Sequence, residues 1–257
     1  MIIFLLFHTI QIDFAEIDVL CPHVGRLYGI GYHQEQVDFY QKAISEFMFY
    51  RNKATVCEVG LNCGHSTLTF LNHSAVDVIN FDLPTQPYSS AVRQFFKQKY
   101  ANRVKIIDGD SLQTIPTFFE KKKKKRCDII SVDGMHNYVN ALQDAMNLMK
   151  QSHNQSIILM DDVCEVSNCN THYRNGENHP YVIGPSQAWK KLLDLNLVIQ
   201  RDYGAADDRG WMLGRINYNN LLHQIPHVLY NPNTPTNAQE HYIRSNQKRL
   251  ESHRFVF

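Results

Sequence analysis

Seven short β-rich runs follow one another along the middle of the chain: "TVCEV", "VDVINF", "RVKII", "CDIISV", "SIILM", "LVIQRDY" and "GWMLGRI". Helix-like stretches separate the first six, and strands joined by helical crossovers must lie parallel, with helices covering both faces of the sheet. The last two runs are separated by a short gap holding "GAADDRG", too small for a helical crossover, and so read as an antiparallel hairpin. The predicted fold is α/β: a Rossmann-like doubly wound sheet, mostly parallel, of seven strands with a C-terminal antiparallel hairpin. Before the first strand, Val37, Tyr40, Ile44 and Phe47 recur at three- and four-residue steps between Gln34 and Tyr50, which places them on one face of a helix packed against the sheet.

A chain of 257 residues buries a sizeable core and suits one main domain with appended segments. Residues 1–33 form an N-terminal segment, 34–216 the sheet domain, and 217–257 a C-terminal tail. In the tail, "YNPNTPTNAQ" reads as a loop, with Thr236 and Gln239 placed as a capping box for a polar helix reaching about Ser252.

The 26 basic and 25 acidic side chains nearly cancel, so charge does not call for a nucleic acid or another polyanion. The one charge block, "EKKKKKR" from Glu120 to Arg126, falls between a helix and a strand and reads as a solvated connection. No apolar run approaches the roughly 18 residues of a membrane span. "MIIFLLF" at the start is brief and has no Lys or Arg before it, which argues against a secretory signal, although Asn72 and Asn154 each head an Asn-x-Ser sequon. The six cysteines make no spaced framework. Cys57 and Cys127, in strand-like runs, are expected to be buried thiols, Cys63 sits in a glycine loop, and only Cys164 and Cys169 are close enough for a local disulfide. A reduced, cytoplasmic setting is the resulting expectation.

Ligands of an open parallel sheet settle beyond the carboxyl ends of its strands, so the residues after each strand carry most information. After the first strand, "EVGLNCGHS" offers Glu58, Gly60, Asn62, Gly64 and Ser66. Its G-x-x-x-G spacing lacks the G-x-G-x-x-G of a pyrophosphate loop, and Glu58 would repel phosphate, so a cationic or zwitterionic ligand fits better, although an ordinary strand-to-helix turn uses the same glycines. Asp82 ends the second strand, where an acid can accept both ribose hydroxyls. "DGDS" after the third presents Asp110 and Ser111 to an adenine edge, or simply forms a turn. "SVDGMH" and "LMDDV" bring Asp133, Asp161 and Asp162 to one rim, with His136 nearby as a proton acceptor. Converging carboxylates need a proton, a basic side chain or a divalent cation, and oxygen ligands favour Mg²⁺ or Ca²⁺; helix caps and loop amides are the alternative use.

In order and spacing, these stretches resemble a class I S-adenosylmethionine-dependent methyltransferase, in particular the metal-dependent O-methyltransferases typified by catechol O-methyltransferase. "DGMHNY" followed by "ILMDDV" also resembles the small methyltransferase group marked by Asp-Gly-x-His-x-Tyr. The resemblance covers about Gln34 to Ile216. It implies that Gly60, Asn62 and Ser66 hold the methionine part of S-adenosyl-L-methionine, Asp82 its ribose and Ser111 its adenine region. It also implies that Asp133, Asp161 and Asp162 bind the metal. Glu58, Gly64, Asp110 and Asp133 complete the expected cofactor site, and Asp133 and His136 the expected catalytic pair. His136 stands where the catechol enzymes keep a lysine.

The implied reaction is metal-assisted methyl transfer to an oxygen of a small hydroxylated acceptor. A non-catalytic protein that binds the cofactor or a nucleoside is the rival reading, and a nicotinamide oxidoreductase is disfavoured by the glycine spacing. The acceptor pocket is expected to draw on the N-terminal segment, the insert from Cys164 to Trp189 with Tyr173, and the hairpin loop at Asp207 and Asp208.

Overall fold

The computed structural model describes residues 12, 14–21, 33–49, 51–122, 125–164, 180–206 and 209–228. In chain order the strands are β1 (Ala54–Val59), β2 (Val76–Asp82), β3 (Val104–Asp108), β4 (Ile129–Val132), β5 (Ile157–Met160), β6 (Val198–Ala206) and β7 (Arg209–Ile216). The described helices are α1 (Ala15–Leu20), α2 (Gln34–Met48), α3 (His65–Leu71), α4 (Ser89–Lys99), α5 (Ser111–Lys121), α6 (Tyr138–Met149), α7 (Pro180–Asp194) and α8 (Tyr218–Val228). All seven sequence-predicted strands are present, in one sheet of order β3-β2-β1-β4-β5-β7-β6. Strands β1 to β5 pair parallel, and β7 runs antiparallel to both β5 and β6. The order reverses at β1, whose neighbours are β2 and β4, and that switch point opens a crevice at the strands' carboxyl ends.

The central strands are buried on both faces, as the continuous burial of β4 and β5 shows. One face packs Val56, Val78, Ile129, Leu159 and Trp211 against α1 to α4, where Val37, Tyr40, Ile44 and Phe47 of α2 form the buried stripe expected of them. Alternate residues of the same strands, Cys57, Phe81, Ile130 and Ile158, face the other way and are equally buried. Helix α1, short as it is, adds Phe14, Ile17 and Cys21 to the core, so part of the N-terminal segment is built into the domain. His65 meets Asp18 at 2.7 Å, and Lys99 pairs with Glu16. The described members of the lysine run are exposed, as a solvated connection requires. The chain divides into Met1–Leu221, which holds the sheet, and Leu222–Phe257. The polar helix predicted near Thr236 to Ser252 lies outside the described residues.

The cysteines depart from expectation. Cys57 and Cys127 form a disulfide rather than standing as separate thiols, because the crossover returns β4 beside β1 and sets their Cα atoms 5.5 Å apart. Cys21 and Cys63 are likewise joined, tying the end of α1 to the glycine loop. Cys164 is also disulfide-bonded, while Cys169, its expected partner, lies outside the described residues. Pairings separated by 70 and 42 residues depend on topology, which spacing along the chain does not disclose. In the chain-entropy account, the 70-residue closure is worth about 4 kcal/mol. A Cys57→Ala, Cys127→Ala double variant is expected to lose stability on that order in urea unfolding. An unchanged midpoint would deny the bridge.

Candidate active site

The crevice is lined by the residues that follow β1 to β5. Glu58, near the end of β1, is fully buried. One oxygen accepts from Ser66 Oγ at 2.5 Å; the other accepts from Asn80 Nδ2 at 2.7 Å and from the Thr67 hydroxyl. Burial pushes this carboxyl up to about 7, against the three hydrogen bonds that favour its charge. Glu58 therefore ties the start of α3 to β2 and sets the shape of the loop between. Asn80 also donates to the Gly60 carbonyl at 3.0 Å; it is a site-shaping residue that the sequence reading missed.

Within that loop Gly60, Asn62 and Gly64 have φ of 93°, 46° and 87°. The left-handed backbone favours glycine, and asparagine is among the side chains that tolerate it. The space freed by the glycines is taken up by the protein itself. A Cβ on Gly60 would lie 1.9 Å from the Asp133 carbonyl oxygen, and one on Gly64 would lie 2.4 Å from the Phe96 ring. Gly60 thus lets the loops after β1 and β4 press together. Asn62 accepts a hydrogen bond from the Tyr88 hydroxyl.

Asp82 ends β2 with both oxygens engaged. One accepts from the Leu61 amide at 2.9 Å, the other from Arg93 at 2.6 Å, and Arg93 also reaches Asp108 at 2.5 Å. Arg93, one helical turn into α4, is a second partner that no motif announced. Asp110 caps α5 by accepting from the Leu112 amide at 3.0 Å, which leaves Ser111 as the first helical residue. Leu83 and Met135, which follow the strands on either side of β1, are 50% and 40% exposed. Large apolar side chains left open at the mouth of a crevice suit a flat apolar ligand group.

At the ends of β4 and β5, ligand atoms of Asp133, His136 and Asp162 lie within 4.8 Å of one another. His136 Nε2 is 3.2 Å from Asp162 and 3.7 Å from Asp133. Asp161 stands beside this group but turns elsewhere: one oxygen accepts from Gln36 of α2 at 2.6 Å, the other from the Asp162 amide. Asp162 has a φ of 53°, and its carboxylate meets His136 of the loop after β4. Arg209 at the start of β7 comes within 3.8 Å of Asp162. Its arrival follows from the hairpin: β7 runs antiparallel to β5, so it begins where β5 ends.

Burial raises the Asp133 carboxyl, with the hydrogen bond from His136 opposing it and the Asp162 charge adding to it. It also holds Asp161 well above the usual range, helped by the charges of Asp133 and Asp162. Burial alone would lower His136, but its hydrogen bond with Asp133 and the charge of Asp162 outweigh that and lift it to about 9. Of the remedies for crowded carboxylates, the fold brings two basic side chains, His136 and Arg209, up to Asp162.

The profile of the family described as "Methyltransferase domain" matches residues 57–163. That stretch runs from β1 through the end of β5 and takes in each strand end just described. Residues 57–163 are thus similar in sequence to methyltransferase domains. The seven-stranded sheet around that stretch has a fold shared with solved O-methyltransferases. An O-methyltransferase from Bacillus cereus in complex with SAH is 18% identical, with a TM-score of 0.60 over 80% of this chain and 92% of that one. The O-methyltransferase TomG from Streptomyces achromogenes, in complex with SAM, is 15% identical, with a TM-score of 0.58 over 80% and 91%. The SAH-bound methyltransferase PaMTH1 from Podospora anserina is 19% identical, with a TM-score of 0.56 over 80% and 89%. Among curated proteins none matches significantly.

The residues expected to line an acceptor pocket fall as follows. Trp189 is buried, its Nε1 donating to Gln200 at 3.0 Å, so it packs from α7 onto β6. Tyr173, Asp207 and Asp208 lie outside the described residues. Asp144 of α6 escaped sequence reasoning altogether. It is 1% exposed, and neither oxygen has a hydrogen-bond partner of ordinary geometry among the described residues. Burial pushes it up to about 7, with Ser111 easing the charge only in part and Asp110 adding to the effect.

The folded chain therefore keeps the Asp144 proton where an unfolded chain, at the ordinary 3.8, has released it. Its contribution to stability is full below about 3.8, declines as pH rises, and is gone above about 7. Asp144→Asn keeps the shape and removes the titration. It is expected to raise stability at pH 8 by on the order of 2–4 kcal/mol, with little change near pH 4. Denaturant curves at both pH values check this, and equal effects at the two would rule out the buried charge.

Proposed function

We propose that the chain transfers a methyl group from S-adenosyl-L-methionine to an oxygen of a small hydroxylated acceptor, and that a divalent cation assists. The observation that carries this reading is the convergence of Asp133, His136 and Asp162 beside the glycine loop of a methyltransferase domain. When bound, the cofactor supplies an already activated methyl group. Residues 60–66 would cradle its methionine part, Asp82 its ribose, and Ser111 with Leu83 and Met135 its adenine. Asp82 can accept ribose hydroxyls on its remaining lone pairs while Arg93 stays in place.

Two carboxylates and one imidazole nitrogen make a donor set for a divalent ion that tolerates mixed oxygen and nitrogen ligands. Mn²⁺ fits it as well as Mg²⁺ or Ca²⁺. A cation there would make an acceptor hydroxyl more acidic. Asp161, anchored by Gln36, then acts on this group through its charge and through the Asp162 amide it receives. Arg209 brings a positive charge to Asp162 at the edge of the cluster.

The test combines purified protein, cofactor and a simple catechol, after chelation and then with Mg²⁺, Mn²⁺ or Ca²⁺ restored. Release of S-adenosylhomocysteine that depends on the ion supports the reading. Turnover indifferent to chelator removes the cation from it. Firm cofactor binding with no product across diverse acceptors would favour the non-catalytic alternative.

A further inference from the structure

Three observations that methyl transfer leaves unused point in one direction. First, the described cysteines are all in disulfides: Cys57 with Cys127, Cys21 with Cys63, and Cys164 with a partner not described. Cys57, Cys63 and Cys127 are wholly buried, and the Cys57–Cys127 bridge ties β1 to the entry of β4, so it belongs to the folded core. Bridges of this kind form and persist in oxidising compartments and are rare where glutathione keeps thiols reduced.

Second, the sequence holds only two Asn-x-Ser/Thr sequons, at Asn72 and Asn154, and both asparagines are exposed. Asn72 caps the C-terminal end of α3. Asn154 lies in the turn between α6 and β5, where Ser156 of its own sequon is buried and donates to the Cys127 carbonyl at 2.8 Å. Neither asparagine side chain is taken up in a described hydrogen bond.

Third, the two turns share one rim. Asn72 precedes β2 and Asn154 precedes β5, and these strands run in the same direction. Both turns therefore lie at the amino ends of parallel strands, opposite the crevice at the carboxyl ends. A bulky group on either would project away from the site.

We propose that Asn72 and Asn154 are N-glycosylation sites, modified as the chain enters an oxidising secretory lumen where its disulfides form. This setting replaces the reducing one suggested by cysteine spacing alone. In the modification, the carboxamide nitrogen of each asparagine bonds to C1 of an oligosaccharide carried on a polyprenyl pyrophosphate. The C1–oxygen bond to the pyrophosphate breaks, the lipid pyrophosphate leaves, and the amide gives up one proton. In the oxidation, each pair of thiols gives two electrons and two protons to the disulfide of a thiol–disulfide oxidoreductase, which is reduced to its dithiol.

The experiment produces the full chain in eukaryotic cells and treats the purified protein with an endoglycosidase, beside Asn72→Gln and Asn154→Gln variants made in the same cells. Both substituted side chains are exposed, so the variants should fold. The expected result is a loss of mass on glycosidase treatment that falls by one glycan in each single variant and vanishes in the double. Native protein should also take up no thiol alkylator after denaturation until a reductant is added. Fewer than two glycans, or alkylation of Cys57 and Cys127 without reductant, overturns the proposal. Neither readout depends on methyl transfer.

Discussion

An Asp162→Asn variant is expected to keep its fold and its affinity for S-adenosyl-L-methionine while losing about two to four orders of magnitude in methyl transfer. Asparagine accepts the left-handed φ of 53° at this position nearly as readily as aspartate, so the backbone should hold. What changes is the charge. Asp162 is the member of the cluster that both His136 and Arg209 address, at 3.2 and 3.8 Å. Without its carboxylate the proposed cation would lose one of three donors, and His136 loses its nearer acid. Turnover measured with the ion in excess, together with calorimetry of cofactor binding, separates the two consequences. A variant as active as the parent would remove the cluster from the reaction.

Gly60→Ala is expected to be the most disruptive single-methyl change in the domain. The added carbon would sit 1.9 Å from the Asp133 carbonyl oxygen and 2.7 Å from its carbon, both backbone atoms that cannot rotate aside, on a residue held at φ 93°. Strain from the positive φ adds to the displacement of the loop after β4, a loss on the order of 3–5 kcal/mol. Asp133 would move with that loop, so cofactor affinity should fall together with stability. A urea midpoint within experimental error of the parent would show that the two loops do not press together as described. Gly64→Ala meets a phenylalanine ring edge and the end of an isoleucine instead, which can shift, and should cost less despite a similar φ.

The sheet was legible because its strands are buried on both faces and therefore read as unbroken β-branched and aliphatic runs, "CDIISV" and "SIILM" most plainly. The hairpin was legible from the shortness of its connection. The strand-end acids could be named in advance, since a parallel sheet dictates where its functional rim lies. Their partners could not. Gln36 meets Asp161 across 125 positions of sequence, and Arg209 reaches Asp162 only because β7 turns back beside β5. The glycines of the loop after β1 also admit neighbouring backbone and side chains, a crowding that only coordinates reveal.

The order of elements, the parallel sense of the strands and the chemistry available at each strand end were determined by sequence alone, because periodicity and connection length act locally. Which acids converge on His136, which one is drawn off to Gln36, and which cysteines meet were decided only by tertiary structure. Each of those depends on distances across the sheet, and such distances are set by how strands and helices pack, not by how far apart their residues lie along the chain.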